Sequence, residues 1–491
     1  MKSQDVRDKW IKFFESKGHL FIPSESLIPQ NDPSLLWINS GVATLKDYFS
    51  GKKKPPSKRL VNSQKSIRTN DIENVGITAR HHTFFEMLGN FSIGDYFKNE
   101  AIEFANEFLI DILKLDKNKI YITYFEEDIE VKEKWISLGY SEEQLIPGNR
   151  DLNFWDVGAG PCGPNTEIFY DRGEKYNSVG HSLIKEDIEN DRFIEIWNIV
   201  FSQYNNLGNN EYVELAQKNI DTGAGFERIV SIMQDVPTNF DTDLFQKIIK
   251  EVEKYSEFKY DIENYFKKDA EQGKINKHFK IISDHMRAIV NAINDGAKPS
   301  NTQRGYIIRR LIRRAYYSGI KLGIKEKTFL KNFVKITKET LIFDIDIKNV
   351  SKIIEIEEEN FSATILNGGK ILEKELEKKS TFFDVNVAFK LFETFGFPIE
   401  MTNDILLEND VKLDFEKLKE LKDNHSKISK GDKKYNSFSK TINSLTLIDS
   451  LICKFVGYDK LKIKSKPILL LNEFEKIKSI DGEAYLVLDK T

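Results

Sequence analysis

Two rhythms of apolar residues divide this chain. Up to about Pro237, short β-branched and aromatic runs are mixed with a few helical stretches. From Asp241 to Lys430, apolar positions recur almost throughout at helical spacing. In the first part, the pattern predicts a helix capped by Ser3 and ended by Gly18, then a turn at Asn31-Asp32-Pro33 before apolar Leu35 to Ile38. Ser63 to Lys98 reads as two strands joined by a polar loop holding Asn70, Asp71, Asn74 and Gly76. Asn99 is placed to cap an amphipathic helix, and Lys119 to Phe125 alternates as a strand does. Asn153 to Asp171, rich in glycine and proline, reads as a rigid loop. Arg192 to Tyr204 reads as a long buried strand, and Asn219 to Gln234 passes from strand through Gly223 and Gly225 into helix. Strands linked mostly by hairpins indicate an α+β class.

In the second part, Asn301 to Gly319 and Asn349 to Lys379 are helix-patterned, the latter crowded with glutamate and lysine and read as a solvated face. Ser426 to Lys440 reads as a loop. From Tyr458 the rhythm turns to β, in Pro467 to Leu471 and Glu483 to Leu488. The expected division is residues 1–240, 241–455 and 456–491.

Charge narrows the partners. The net charge is −4, so any nucleic-acid contact must come from a local basic patch. Two distant cysteines, Cys162 and Cys453, cannot form a disulfide framework and suit a reducing cytosol. Cys162 reads as structural. No signal peptide or apolar run of membrane-spanning length is visible, so a cytoplasmic location is expected.

Candidate chemistry clusters in four places. Arg68 and Arg80 flank the polar loop, with Phe84, Phe85 and Glu86 behind, which suits a nucleotide: guanidinium groups pair with phosphate and aromatics take a ring. His81 and His82 are adjacent, so on a strand they face opposite sides and a shared metal is not expected. Gly223 to Arg228 is a glycine turn opening a helix, where backbone approaches anions and Arg228 reaches a phosphate or caps a ring. Asp221, just upstream, could hold an ammonium or serve only as a turn carboxylate. In Glu195 to Phe201, one of Trp197 and Asn198 faces the core and the other a pocket, and Asn198 needs a hydrogen-bond partner. Finally, Arg304, Arg309, Arg310, Arg313 and Arg314 crowd one helix, which reads as a face for RNA backbone or as salt bridges between elements.

Together these stretches resemble the alanyl-tRNA synthetase family of class II synthetases. The resemblance rests on NDPSLLWINSG, RHHTFFEMLGNFSIGDYF, GPCGPNTEIFYD, EIWNIVF, DTGAGFER, PSNTQRGYIIRR, EEENFSATILNGG and FGFPIEMT, and runs essentially end to end. It implies an antiparallel class II catalytic domain flanked by helices, then an all-α domain that reads the tRNA acceptor stem. It implies ATP and L-alanine as substrates, Mg²⁺ as cofactor with unassigned ligands (Glu195 a candidate), no zinc in this portion, and tRNA(Ala) as partner. Carried over, Arg68 grips the α-phosphate, with Arg80, His82, Trp155, Ile196, Trp197, Asn198, Gly225 and Arg228 around ATP. Asn198, Asp221 and Trp197 hold alanine, with Asp221 on its ammonium. Asn301 faces the G·U pair that marks this tRNA, with the arginine helix and Glu400 beside it.

The chain departs from the family pattern in several places. The segment after Arg68 is short and lacks a lysine contact. Gly158-Ala159-Gly160 replaces a commoner motif, Asn165 stands where many have cysteine, and Glu400 where aspartate is usual. The tail GEAYLVLDKT resembles the start of an editing domain, so a fragment without editing and C-terminal domains is expected. Two other readings are an inactive synthetase-like RNA-binding protein and a class II-like amide ligase.

Overall fold

The computed structural model describes residues 1–30, 35–156, 160–208, 211–378, 380–395, 397–429, 463–471 and 485–490. The expected turn at Asn31-Asp32-Pro33, Gly158-Ala159, Cys453 and most of the Ser426 to Lys440 loop lie outside them. The chain divides into two compact units, Met1–Ile371 and Leu372–Thr491.

The first unit is built on a nine-stranded sheet. Its strands are β1 (Leu20–Phe21), β2 (Arg59–Ile67), β3 (Phe84–Ile93), β4 (Ile120–Phe125), β5 (Leu145–Gly148), β6 (Phe154–Trp155), β7 (Gly160–Asp171), β8 (Phe193–Asn206) and β9 (Tyr212–Gly225). The order is β1-β2-β3-β9-β8-β7-β4-β5, with β6 paired to β7. Every neighbouring pair is antiparallel except the outer pairs β1–β2 and β4–β5. This is an α+β fold with a predominantly antiparallel sheet flanked by helices.

The helix Ser3–Ser16 forms as its spacing predicts and ends before Gly18, whose φ of +82° suits glycine. Its cap is Lys2 rather than Ser3, whose amide donates to Asp243 at 3.0 Å. The helix covers one sheet face: Trp10 meets Trp197 with ring centroids 4.7 Å apart, and Phe108 closes the cluster.

The Asn153 to Asp171 loop reading is overturned, because Gly160–Asp171 is a central strand. A register shift between Cys162 and Asn165 accommodates the Gly163-Pro164 step. A Cβ on Gly163 would lie 2.0 Å from the Phe201 carbonyl, so glycine is what permits close pairing there.

Beyond the sheet, the helices Ala270–Asn294 and Gln303–Lys321 pack side by side. Buried ion pairs tie the first of them to the sheet. Arg287 holds Glu227 at 2.9 Å, Glu227 accepts from the Glu86 amide, and Glu86 takes Arg7 of the first helix at 2.7 Å. The Ile347–Leu376 helix departs from a solvated face at Glu357 and Glu358, both buried. Glu358 accepts from the Phe329 and Leu330 amides at 3.0 Å, which satisfies a helical turn's free donors.

The second unit contains helices Val385–Glu393, Ile399–Glu408 and Phe415–Ser429, and a two-stranded sheet of β10 (Pro467–Leu471) and β11 (Tyr485–Leu488). Among the described residues, no helix is long and apolar enough to cross a membrane.

Candidate active site

The site lies on the sheet face opposite Trp10, and strand register dictates its layout. Asn165, Val200 and Asp221 stand abreast across β7, β8 and β9. Glu167, Asn198 and Gly223 form the next row, and Gly225 pairs with Met87 of β3 beyond it. Paired residues share a face, so these side chains converge. Gly223 is bare, and the Met87 thioether fills that space: a Cβ there would sit 2.8 Å from Met87 Sδ. Val200, paired with Asp221, is apolar.

Asp221 is buried, and burial alone pushes its carboxyl up to about 7. Among the described residues, no side chain or amide donates to it. A carboxylate withdrawn from water without a counter-charge is an incomplete site, and a ligand ammonium completes it.

Asn198 does find the partners an amide on an apolar strand requires. Its Nδ2 donates to Glu167 Oε1 at 2.7 Å, and its Oδ1 accepts from Asn165 Nδ2 at 3.0 Å. Asn165 Nδ2 also reaches Glu167 Oε1 at 3.1 Å. Burial, followed by the nearby charge of Glu195, raises the Glu167 carboxyl to about 8.

Cations gather at the other end of the face. Arg68 leaves β2 with its amide on the Thr83 carbonyl at 3.0 Å and its guanidinium 4.9 Å from the Phe85 ring centre. Arg68 is open to solvent at the mouth. The recess around it still withdraws water, and this desolvation and then Arg228 depress its pKa. Desolvation and then Arg228 depress Arg80 as well, although it reaches Glu189 at 2.7 Å. Arg228 donates to the Glu195 carbonyl and carboxylate, both at 2.9 Å. Arg228 thus repels both Arg68 and Arg80, a repulsion that Glu195 and Glu189 offset in part and that a bound anion would relieve. Gly225 opens the Phe226–Met233 helix, and the stem of Arg228 lies where its Cβ would be, 3.1 Å from Arg228 Cδ.

Several expected residues lie elsewhere. His82 is buried away from the arginines, stacked on Phe245 at 4.8 Å, with Asn239 on its Nε2 at 3.0 Å and Asp284 3.3 Å from its Nδ1. Its neighbour His81 feels Arg228 and Arg80 instead, and burial chiefly lowers its pKa. Adjacent residues point apart, and it is His81, not the expected His82, that turns toward the cations. Trp197 packs on the helix-covered face, because it alternates with Asn198. Ile196 is buried where β8 shifts register against β7. Trp155 packs on the cluster of Val42, Leu45, Phe49 and Phe91 at the edge of the face.

On the arginine helix, the guanidinium groups already have protein partners. Arg309 and Arg313 share Glu357, at 2.8 and 3.5 Å, and Arg310 takes Glu73 at 2.7 Å. Arg304 donates to the Leu36 carbonyl, and Arg314 is buried on the Ile72 carbonyl. Asn301 is exposed and accepts from Arg309. The Glu400 side chain lies outside the described residues.

Sequence reasoning assigns no role to Glu167, Asn165, Val200 or Met87. The available signal was alternation: Asn165 and Glu167 are two apart, as one strand face requires.

A family model described as tRNA synthetases class II (A) matches residues 5–491. Alanine--tRNA ligase of Mycoplasmopsis synoviae (strain 53) is 61% identical over 493 residues, covering 100% of this chain and 56% of its own length. Alanine--tRNA ligase of Mycoplasmopsis pulmonis (strain UAB CTIP) is 60% identical over 491 residues, again 100% and 56%. This chain therefore spans about half the length of these curated relatives. A solved structure, apo histidyl-tRNA synthetase of S. aureus, aligns at a TM-score of 0.31 and 10% identity, over 49% of this chain and 68% of that one.

Proposed function

This chain belongs to the class II (A) tRNA synthetases, and from that premise we propose that it is the catalytic and tRNA-reading part of an alanine--tRNA ligase. It activates L-alanine with ATP and transfers the alanyl group to the 3′ end of tRNA(Ala). The observation that carries this reading is Asp221, a buried acid without a counter-ion on the same face as the Arg68–Arg80–Arg228 cluster. A small zwitterion and a polyphosphate complete the two ends.

In the first step, the alanine carboxylate oxygen attacks the α-phosphorus in line, and the bond to pyrophosphate breaks. Asp221 holds the ammonium and Asn198 the carboxylate end. Arg68 meets the α-phosphate, while Arg228 and Arg80 balance the rest of the triphosphate. Gly225 lies against the nucleotide and Trp155 borders its pocket. His81, not His82, faces this end. Mg²⁺ supplies further charge neutralisation when bound. Glu195 offers one oxygen donor beside the arginines, which suits an ion that takes one or two carboxylates plus phosphate oxygens. In the second step, a hydroxyl of the terminal adenosine attacks the acyl carbon and AMP leaves.

Residues 1–240 form the catalytic part in this reading, 241–455 read the acceptor stem and 456–491 begin a β-domain. Asn301 is assigned to the G·U pair, and the setting is cytoplasmic. ATP–pyrophosphate exchange across small amino acids tests the proposal. Alanine-dependent exchange is expected. Its absence with every small amino acid would favour an inactive RNA-binding protein.

A further inference from the structure

Three polar side chains at the floor of the site form a closed ring. Asn198 donates to Glu167 at 2.7 Å, Asn165 donates to Glu167 at 3.1 Å, and Asn165 also donates to Asn198 Oδ1 at 3.0 Å. Glu167 is the shared acceptor. An isolated carboxamide on a sheet can turn over, exchanging its donor for its acceptor. Within this ring, turning Asn198 would set its oxygen against the Glu167 oxygen and its nitrogen against the Asn165 nitrogen. Two hydrogen bonds would become two repulsions, so one orientation is held.

That orientation engages one N–H of Asn198 and leaves the other for a ligand. Asn198 is half-buried, whereas Asn165 is 2% exposed, so the ligand meets Asn198 while Asn165 supports it from beneath. Gly223, paired with Asn198 and two residues from Asp221, has no side chain of its own, and the Met87 thioether occupies the space above it.

We propose that Glu167 and Asn165 are positioning residues: by locking the Asn198 carboxamide, they present its second N–H to the carboxyl oxygen of an amino acid whose ammonium meets Asp221. This rests on the amino-acid site proposed above and extends it by two residues. Neither residue reaches the arginine cluster through a hydrogen bond, so the amino acid, not ATP, is the substrate that feels their loss.

Steady-state pyrophosphate exchange by the full chain and three variants tests this, with thermal melting alongside. Glu167→Gln keeps an oxygen to accept from Asn198, so its KM for alanine is expected within about 3-fold of the parent. Glu167→Ala and Asn165→Ala are expected to raise that KM by about 10- to 100-fold, the range for a buried hydrogen bond left unmade, with KM for ATP unchanged. If Glu167→Ala does not fold, Asn165→Ala carries the test. The proposal is overturned if KM for ATP rises in step with that for alanine, if the alanine variants keep the parental KM, or if Glu167→Gln is as impaired as Glu167→Ala. No exchange by the parent chain overturns the underlying site reading and this proposal with it. Exchange by the parent with unaltered variants overturns this proposal alone.

Discussion

At the scale of single residues, Asp221 carries opposed consequences for stability and function. Its carboxyl titrates at about 7 in the folded chain against 3.8 as an ordinary carboxyl. The folded state therefore holds the proton more tightly than the unfolded state. Stability contributed by this group is fully present below about pH 4, declines as pH rises toward 7, and is flat beyond. The gap of about three units corresponds to roughly 4 kcal/mol as an upper bound. Asp221→Asn should accordingly melt higher than the parent at pH 8 and yet lose alanine-dependent exchange. A variant that melts lower would show that Asp221 has a counter-ion after all. The same titration sets substrate binding: KM for alanine should rise as pH falls below about 7, by about tenfold per unit, because the ammonium needs the ionised acid. The two histidines give a second contrast. His82→Ala should cost about 1–3 kcal/mol in a urea melt, because Asp284 and Asn239 lose a buried partner, while KM for ATP stays put. His81→Ala should do the reverse, and matching effects from both would erase the distinction between them.

At the scale of elements, legibility followed local chemistry. The hairpin of β2 and β3, the strand β8 and the turn through Gly225 into helix were readable because apolar alternation and glycine placement are local signals. The strand β7 was not, because glycine and proline are local breakers. What makes Gly160–Asp171 a strand is its pairing with β8 and β4 on either side, with the irregular step absorbed by a register shift. The loss mattered for the site, since Asn165 and Glu167 could be recognised as neighbours of Asn198 only once β7 was a strand. Glu357 and Glu358 were hidden for a similar reason: their partners come from other helices, so charge density alone made them look solvated. The pairing of β7 with β8 has a direct test. Gly163→Ala places a methyl 2.0 Å from the Phe201 carbonyl, which only a shift of strand against strand can relieve. It should destabilise the chain by about 3 kcal/mol or more in a denaturant melt and raise KM for alanine in the molecules that remain folded. Wild-type stability would mean that the β7–β8 pairing is looser than its register implies.

At the scale of the whole molecule, the question is how a chain of net charge −4 engages a polyanion. Its arginine-rich helix is the natural candidate, but Arg309 and Arg313 hold the buried carboxylate of Glu357. Replacing both by alanine would strand that carboxylate, and a buried ion pair broken on one side costs about 3–5 kcal/mol. Lost acylation in such a variant would therefore report unfolding as readily as lost recognition. Removing all three charges together avoids the ambiguity. In Arg309→Met/Arg313→Met/Glu357→Gln, the apolar stems keep the packing against Phe361 and no buried charge is left alone. If these arginines also meet RNA phosphate, the triple variant should retain alanine-dependent pyrophosphate exchange and melting temperature. It should acylate tRNA(Ala) more slowly, and the salt dependence of its KM for tRNA should be shallower by about one for each phosphate left without its guanidinium. Glu357→Gln alone should then acylate at least as well as the parent, because it releases both guanidinium groups toward the ligand. Full acylation by the triple variant with an unaltered salt slope would assign these two arginines to holding helices together, and would move the search for the RNA contact to Asn301 and the exposed Lys298 just before it in sequence.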